Sequence, residues 1–488
     1  MQPERRVSKN TTSSTTSNAT TNTTTNAISA TGTASTASST NTITASRMLA
    51  EFAVNVAYED IPSPMLHEAT RSLMNYFAVG LGGCRDRTID IAFATYSEFA
   101  GPPQASLFGR SSKVDLLTAA SLNAMAANVY DFDDTHTPTI IHPTAPVAAA
   151  LFALAQRHRI DGRSFLAAFL VGVEVQCRLG NAISPYHYTK GWHITSTCAV
   201  VGVAAAVGRI LGLSVDQMVW AFGSAATQAC GLVECLGTMS KSASVGNAAR
   251  NGLISAYLAK NGFDGPADPL VGVRGFTHVY GERADISALT QDLGKSWEIA
   301  SNTYKPYPCG VVLNPVLDAC LTMAQSATLV AKGVERIVSI ELTGHPLLRQ
   351  RADRPEIKSG RESQVCAQHG VAVCLIRRKA GLQEFSDSAV NDPDIRALGA
   401  KVTFTDNETY SVDSATVKIL FDDGTVISEH VQSAKGSVSN PLTDIELEEK
   451  LRTLCLYSAI ETDPERLIEQ VWRFDELVDA SGVMPMAF

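Results

Sequence analysis

The chain has 488 residues, 45% hydrophobic and 18% charged, with a formal net charge of −9. Such a length accommodates about two to three domains around ample core material. The acidic balance excludes a global field that would attract nucleic acid, so any anionic ligand must meet cations gathered locally.

Residues 1–46 form a tract dominated by Ser, Thr, Asn, Ala and Gly. It has too little apolar surface to offset chain entropy and is expected to be disordered. Arg5, Arg6 and Lys9 in a nearly acid-free stretch make a mitochondrial presequence the alternative to a cytoplasmic solvated tail. The N-terminus lacks the apolar stretch of a secretory signal.

Residues 47–301 read as a helical domain. Pro62 and Pro64 suit a helix entry, and Met65, Leu66, Ala69, Leu73 and Phe77 recur at three- and four-residue steps. Ala-rich runs at 118–127, 145–155, 164–180 and 198–211 predict helices that pack closely. None reaches the ~20 apolar residues of a membrane helix, so no membrane span is expected. Residues 302–436 change texture. Glu335–Leu342, Lys401–Phe404 and Ala415–Phe421 alternate like strands, and Asp422–Thr425 forms a hairpin turn into Val426–Ser428. With helices at 313–327 and 363–380 this predicts a smaller α+β domain. Residues 437–488 return to helix, with Leu447, Leu451, Leu456, Leu467 and Val471 expected against the helical domain. The fold class is therefore mainly α, a large all-helical domain with a smaller α+β domain.

Ten cysteines are scattered with no Cys-x-x-Cys pair, and no histidines stand at zinc spacing, so they are expected as small buried hydrophobes in a reducing compartment. Gly-x-Gly-x-x-Gly, the Walker pattern and Gly-x-Ser-x-Gly are absent, which removes support for nucleotide cofactors and an esterase elbow. Four segments concentrate polar residues in apolar surroundings. Asp131, Asp133, Asp134, His136 and His142 lie within twelve residues between two Ala-rich helices. Acids this close are expected to raise one another's pKa and hold adjacent imidazoles charged. Helix caps, a Mg2+ site and an acid–base site are three readings of this segment. His193 precedes a small-residue helix, where an anion would bind. Lys241 sits in a Ser/Gly/Ala stretch, and Lys305 in the turn Tyr304-Lys-Pro-Tyr-Pro-Cys-Gly310. This set suits acid–base chemistry on an anionic substrate.

Asp131-Phe-Asp-Asp-Thr with His142-Pro-Thr resembles the signature of the MmgE/PrpD family. The resemblance continues through Gly172–Arg178, Gly246–Arg250, Tyr304–Cys309 and Asn314–Ala319. It implies a homodimeric, metal-free and cofactor-free lyase of small polycarboxylic acids, with the site between helical domain and lid. By the same resemblance the catalytic set is Asp131, His142, His193, Lys241 and Lys305. The family's decarboxylase branch has a lid tyrosine where this chain reads His345-Pro-Leu-Leu-Arg-Gln-Arg-Ala-Asp-Arg-Pro355, so Arg351 and Arg354 are expected to bind substrate carboxylates. That departure leaves dehydration or isomerisation open, and the leading expectation is dehydration of a 2-methylcitrate- or alkylcitrate-like tricarboxylate, as in a biosynthetic branch of the family. Decarboxylation of a cis-aconitate-like acid is the first alternative. A non-catalytic small-acid binder is the second.

Overall fold

The computed structural model describes residues 43–484, and the disorder expected of 1–42 lies outside the described residues. The boundary expected at 46 is too late. The first helix spans Ala45–Asn55, with Thr44 accepting the Arg47 N–H as its N-cap. Ser46 is buried, donates to Asp268 and accepts the Leu270 N–H. Composition alone could not see that one capping threonine turns a tail into a helix.

The structure is mainly helical. Helices Ser63–Gly83, Leu116–Asn128, Thr144–Ala155, Gly162–Ile183, Ile194–Ile210, Val215–Ala226 and Met239–Lys260 share one buried cluster. Every residue of Thr144–Ala155 is buried, so this helix runs inside the bundle and shows no polar face. Small residues set the spacing. A Cβ on Gly172 would lie 2.9 Å from the Gly202 carbonyl oxygen, and one on Gly202 only 2.4 Å from that of Gly172. Backbone therefore touches backbone where those helices cross. Gly162–Ile183 is long and apolar enough to cross a membrane, a length the sequence reading missed. Nineteen of its 22 residues are buried inside the protein, Glu174, Gln176 and Arg178 among them, which marks it as a core helix.

A second buried cluster gathers residues between Cys309 and Phe421. It lies against a four-stranded sheet in the order Val402–Asp406, Ile337–Gly344, Ala415–Phe421, Val426–Val431. The second strand runs parallel to the first and antiparallel to the third. In Ala415–Phe421 the alternate residues Ala415, Val417, Ile419 and Phe421 are buried, as a one-sided sheet requires. Helices Asn314–Met323 and Ala367–Arg377 contribute to the same cluster.

The chain then returns to the first cluster through Asp444–Ser458 and Pro464–Trp472, with Leu447, Leu451, Leu467 and Val471 buried there. Leu456, grouped with them by sequence, is 83% exposed. Helical steps from Leu447 and Leu451 lead to Leu454 and Ser458, leaving 456 on the outer face. All cysteines except Cys230 and Cys235 are buried, and all ten are free thiols.

One short ladder brings distant segments together. Thr135 pairs with Thr303 and His136 with Asn302, antiparallel. Extended past its ends, that register carries the turn before Thr135 alongside the turn after Thr303. Asp131 and Lys305 lie on those two turns.

Candidate active site

Asp131 is the hub. It follows the helix Leu116–Asn128 and takes a left-handed backbone, φ 53°, which Asp tolerates better than most residues. One carboxylate oxygen accepts from the Lys241 ammonium and the other from Lys305 Nζ at 2.6 Å. Lys305 also donates to the Asp131 carbonyl at 2.7 Å. Both lysines are buried, while the Asp131 side chain keeps 30% exposure and so faces an opening. Burial alone would raise the Asp131 pKa, but Lys241, Lys305 and His142 together hold it well below the usual carboxylate range.

His142 Nε2 stands 3.5 Å from Asp131. Its Nδ1 lies 2.8 Å from the Asp134 carbonyl and 3.4 Å from the Asp133 carboxylate. A carbonyl accepts only, so Nδ1 carries the proton in the neutral ring, and Nε2 is the nitrogen on the Asp131 side. Burial lowers the His142 pKa, and Lys241 and Lys305 add to this against Asp133 and Asp131. His193 is the N-cap residue of Ile194–Ile210. Its Nδ1 meets Ser196 Oγ at 2.6 Å and Ser244 Oγ at 3.2 Å. Burial, Lys241 and His142 push its pKa down to about 3. The two histidines are linked through the same helix end, since the His142 N–H donates to Thr195 Oγ1 at 3.1 Å.

The structure thus brings Asp131, His142, His193, Lys241 and Lys305 into one cluster. Two electrostatic expectations fail. The imidazoles are not held charged, because burial and two ammoniums outweigh the acids. The acids do not all shift upward. Asp134 rises to about 7, through burial and then Asp133, against the Thr144 and Asn302 hydrogen bonds, while Asp131 falls. His136 belongs elsewhere, since its Nε2 meets Glu298 at 3.0 Å and its Nδ1 meets Thr139 at 2.7 Å.

Asp131, Asp133 and His142 offer ligand atoms within 4.8 Å of one another. The set does not fit a cation, because an ammonium already sits on each Asp131 oxygen and a divalent ion there would face two positive charges at contact range.

Arg351 lies on the helix Pro346–Ala352 and Arg354 in the segment after it, both exposed. Among the described residues, no hydrogen bond or ion pair joins either to the cluster. Arg354 Nε folds back onto the Arg351 carbonyl at 3.2 Å, and Arg349 pairs with Asp406. Arg351 does bear on Tyr188, whose pKa burial raises while Arg351, Asp131 and Lys305 act on it electrostatically. Sequence reasoning passed over Tyr188 as one of two tyrosines in a polar stretch. For Asp133 the sequence leaves helix cap, Mg2+ ligand and acid–base group open, and the structure sets its carboxylate on the proton-bearing side of His142.

Residues 47–289 match the MmgE/PrpD N-terminal domain and residues 307–476 the MmgE/PrpD C-terminal domain. The chain belongs to the MmgE/PrpD family. It is 28% identical to a cis-aconitate decarboxylase of Aspergillus terreus over 90% of this chain and 94% of that one. Against the human cis-aconitate decarboxylase it is 26% identical, over 90% of this chain and 93% of the relative. A cis-aconitate decarboxylase-like protein, oryM, of Aspergillus oryzae is 26% identical over 90% and 96%. Family and relatives together indicate a lyase.

Proposed function

We propose that this lyase decarboxylates a cis-aconitate-like acid, without metal or cofactor, at the Asp131–Lys241–Lys305–His142–His193 cluster. The observation that carries the reading is the protonation pattern. Two ammoniums flank one ionised carboxylate, beside two imidazoles whose pKa values lie below the ordinary histidine value. Dehydration by His142 and His193 as base and acid requires one of the two to be protonated, and two neutral imidazoles do not make that pair. Decarboxylation of an unsaturated acid requires cations and one proton. The C–C bond to the leaving carboxylate breaks and CO2 departs. The electron pair shifts through the double bond to the carbon α to a second carboxylate. Lys241 and Lys305 stabilise that developing charge, and an ammonium delivers the proton, to be replaced from solvent. The names of the relatives agree with this reading.

A second reading, dehydration of a methyl- or alkylcitrate, is favoured by the arginine-bearing segment 349–354 in place of a lid tyrosine, and by Arg351, whose side chain has no ion-pair partner among the described residues. One panel separates them: cis-aconitate, citrate, 2-methylcitrate and an alkylcitrate, with products identified by mass. CO2 release from cis-aconitate is expected. Loss of water from a citrate, with no CO2 from cis-aconitate, would replace the first reading by the second.

A further inference from the structure

Lys450 lies on Asp444–Ser458, more than two hundred residues in sequence from most of the cluster, and is buried. Its Nζ donates to Asn75 Oδ1 at 2.8 Å, to the Phe132 carbonyl at 2.8 Å and to the Lys305 carbonyl at 2.9 Å. The same nitrogen sits 3.7 Å from the centroid of the Phe132 ring. Three acceptors call for three N–H groups, which the ammonium has and the neutral amine lacks. The aromatic face adds a further attraction for a cation. Burial, with Lys305 adding to it, drives the Lys450 pKa well below the usual lysine range against Asp133 and Asp134. It is therefore the geometry of three acceptors and a ring face that argues for the ammonium.

What these acceptors belong to gives the contact its meaning. One carbonyl is that of the residue after Asp131, and the other is that of Lys305 itself. Lys450 therefore ties together the two backbone turns whose side chains form the Asp131–Lys305 pair. A well-packed apolar side chain would fill the same space without the desolvation cost of a buried cation. A packing role alone does not require an ammonium bonded to both turns.

We infer that Lys450 is a positioning residue, which holds the Asp131 and Lys305 turns in register by bonding both of their carbonyls. The inference rests on the polycarboxylate-lyase reading of the cluster, and its test has one arm that needs no substrate. In a crystal structure of Lys450→Met, the Lys305–Asp131 contact is expected to open beyond hydrogen-bond distance. A contact kept at its present 2.6 Å would overturn the inference whatever the enzyme turns over. With the substrate that the product panel identifies, Lys450→Met is expected to lower kcat/KM by about 10²-fold in folded protein, the scale of an ångström-level misplacement. Lys450→Gln keeps two donors without the charge and is expected to recover about tenfold of that loss. In a Lys305→Met background, Lys450→Met should cost less than about threefold more, because it acts through a side chain already removed. A full further loss in that background, or a Gln variant no better than Met, would assign Lys450 to stability alone. If the Met variant does not fold, the Lys305→Met comparison is made with the Gln variant, whose smaller loss should vanish in that background, and an undiminished loss there would overturn the inference.

Discussion

Two charged clusters flank the segment 131–142, and they differ in what they leave open. In the first, Arg178 and Glu174 are buried and pair with each other and with backbone groups. Arg178 Nε donates to Glu174 at 2.6 Å, and its terminal nitrogens donate to the Gln291, Ala288 and Ser296 carbonyls. The second Glu174 oxygen accepts the Glu298 N–H at 2.8 Å, and Glu298 accepts from Asn181 while pairing with His136. In the second cluster, Asp131 is partly exposed, and two cations and two imidazoles converge on it from four segments. Both clusters are centred on motifs that carry the family resemblance, Gly172–Arg178 for the first and Asp131–Thr135 with His142–Thr144 for the second. A charge network closed on itself holds the fold, whereas one that keeps an exposed, ionised edge is available to a substrate.

This contrast can be broken or sharpened by substitution. His142→Ala is expected to lower turnover by about 10²–10⁴-fold in a protein that still folds. Wild-type melting with wild-type rate would remove His142 from the chemistry. Arg178→Met should do the reverse, leaving Glu174 buried without its partner and costing about 3–5 kcal/mol of stability. Denaturant unfolding reads that loss, and a stable but inactive variant would erase the distinction between the clusters. Lys241→Met is expected to cost about 10–100-fold in kcat/KM, the scale of one charged hydrogen bond, with steady-state kinetics on folded protein as the check.

A pH effect follows from Asp134. Its folded pKa, about 7, lies above the ordinary carboxylate value, so the folded state binds more protons between those limits. The stability it contributes is full below the ordinary carboxylate pKa and is lost as pH rises through about 7. Asp134→Asn removes that dependence, so its melting temperature relative to wild type should improve from pH 6 to pH 8. No relative change would show that Asp134 is ionised throughout. The smallest effect expected is at Ser46, where Ser46→Ala should cost about 1 kcal/mol by removing a buried donor and acceptor. A thermal melt unchanged to within a degree would detach that serine from the core.

The helical half was legible because its signals are local. Helices Leu116–Asn128, Thr144–Ala155 and Ile194–Ile210 fall on the Ala-rich runs, where small side chains recur without interruption. The strand Ala415–Phe421 was legible from alternation, and its turn from Asp-Gly. The candidate residues stood out by pattern, as polar groups in apolar surroundings, but their union into one site came from resemblance, because they come from four segments joined by tertiary pairing. The Thr135–Thr303 ladder is two residues long and leaves no periodic trace. The charge states were not legible at all, since the same Asp-x-Asp-Asp run holds one carboxyl far below the usual range and another near 7. Lys450 did leave a trace. It stands at helical spacing between Leu447 and Leu454, on the buried stripe of its helix, where a lysine is out of place.

The return of Asp444–Ser458 to the first cluster has a consequence for how the molecule is born. Ribosomes deliver about 5–20 residues each second, amino end first. The helices that surround Thr144–Ala155 therefore emerge well before the segment that seats Leu447, Leu451 and Leu454 among them. Until that segment arrives, Arg71 lacks Asp444 and the Leu442 carbonyl, and the Phe132 and Lys305 carbonyls lack Lys450. The nascent protein thus carries an unclosed seam beside its acidic turn while the whole sheet region is being made. Its helical half is a waiting partner, completed only by a segment made after the sheet region.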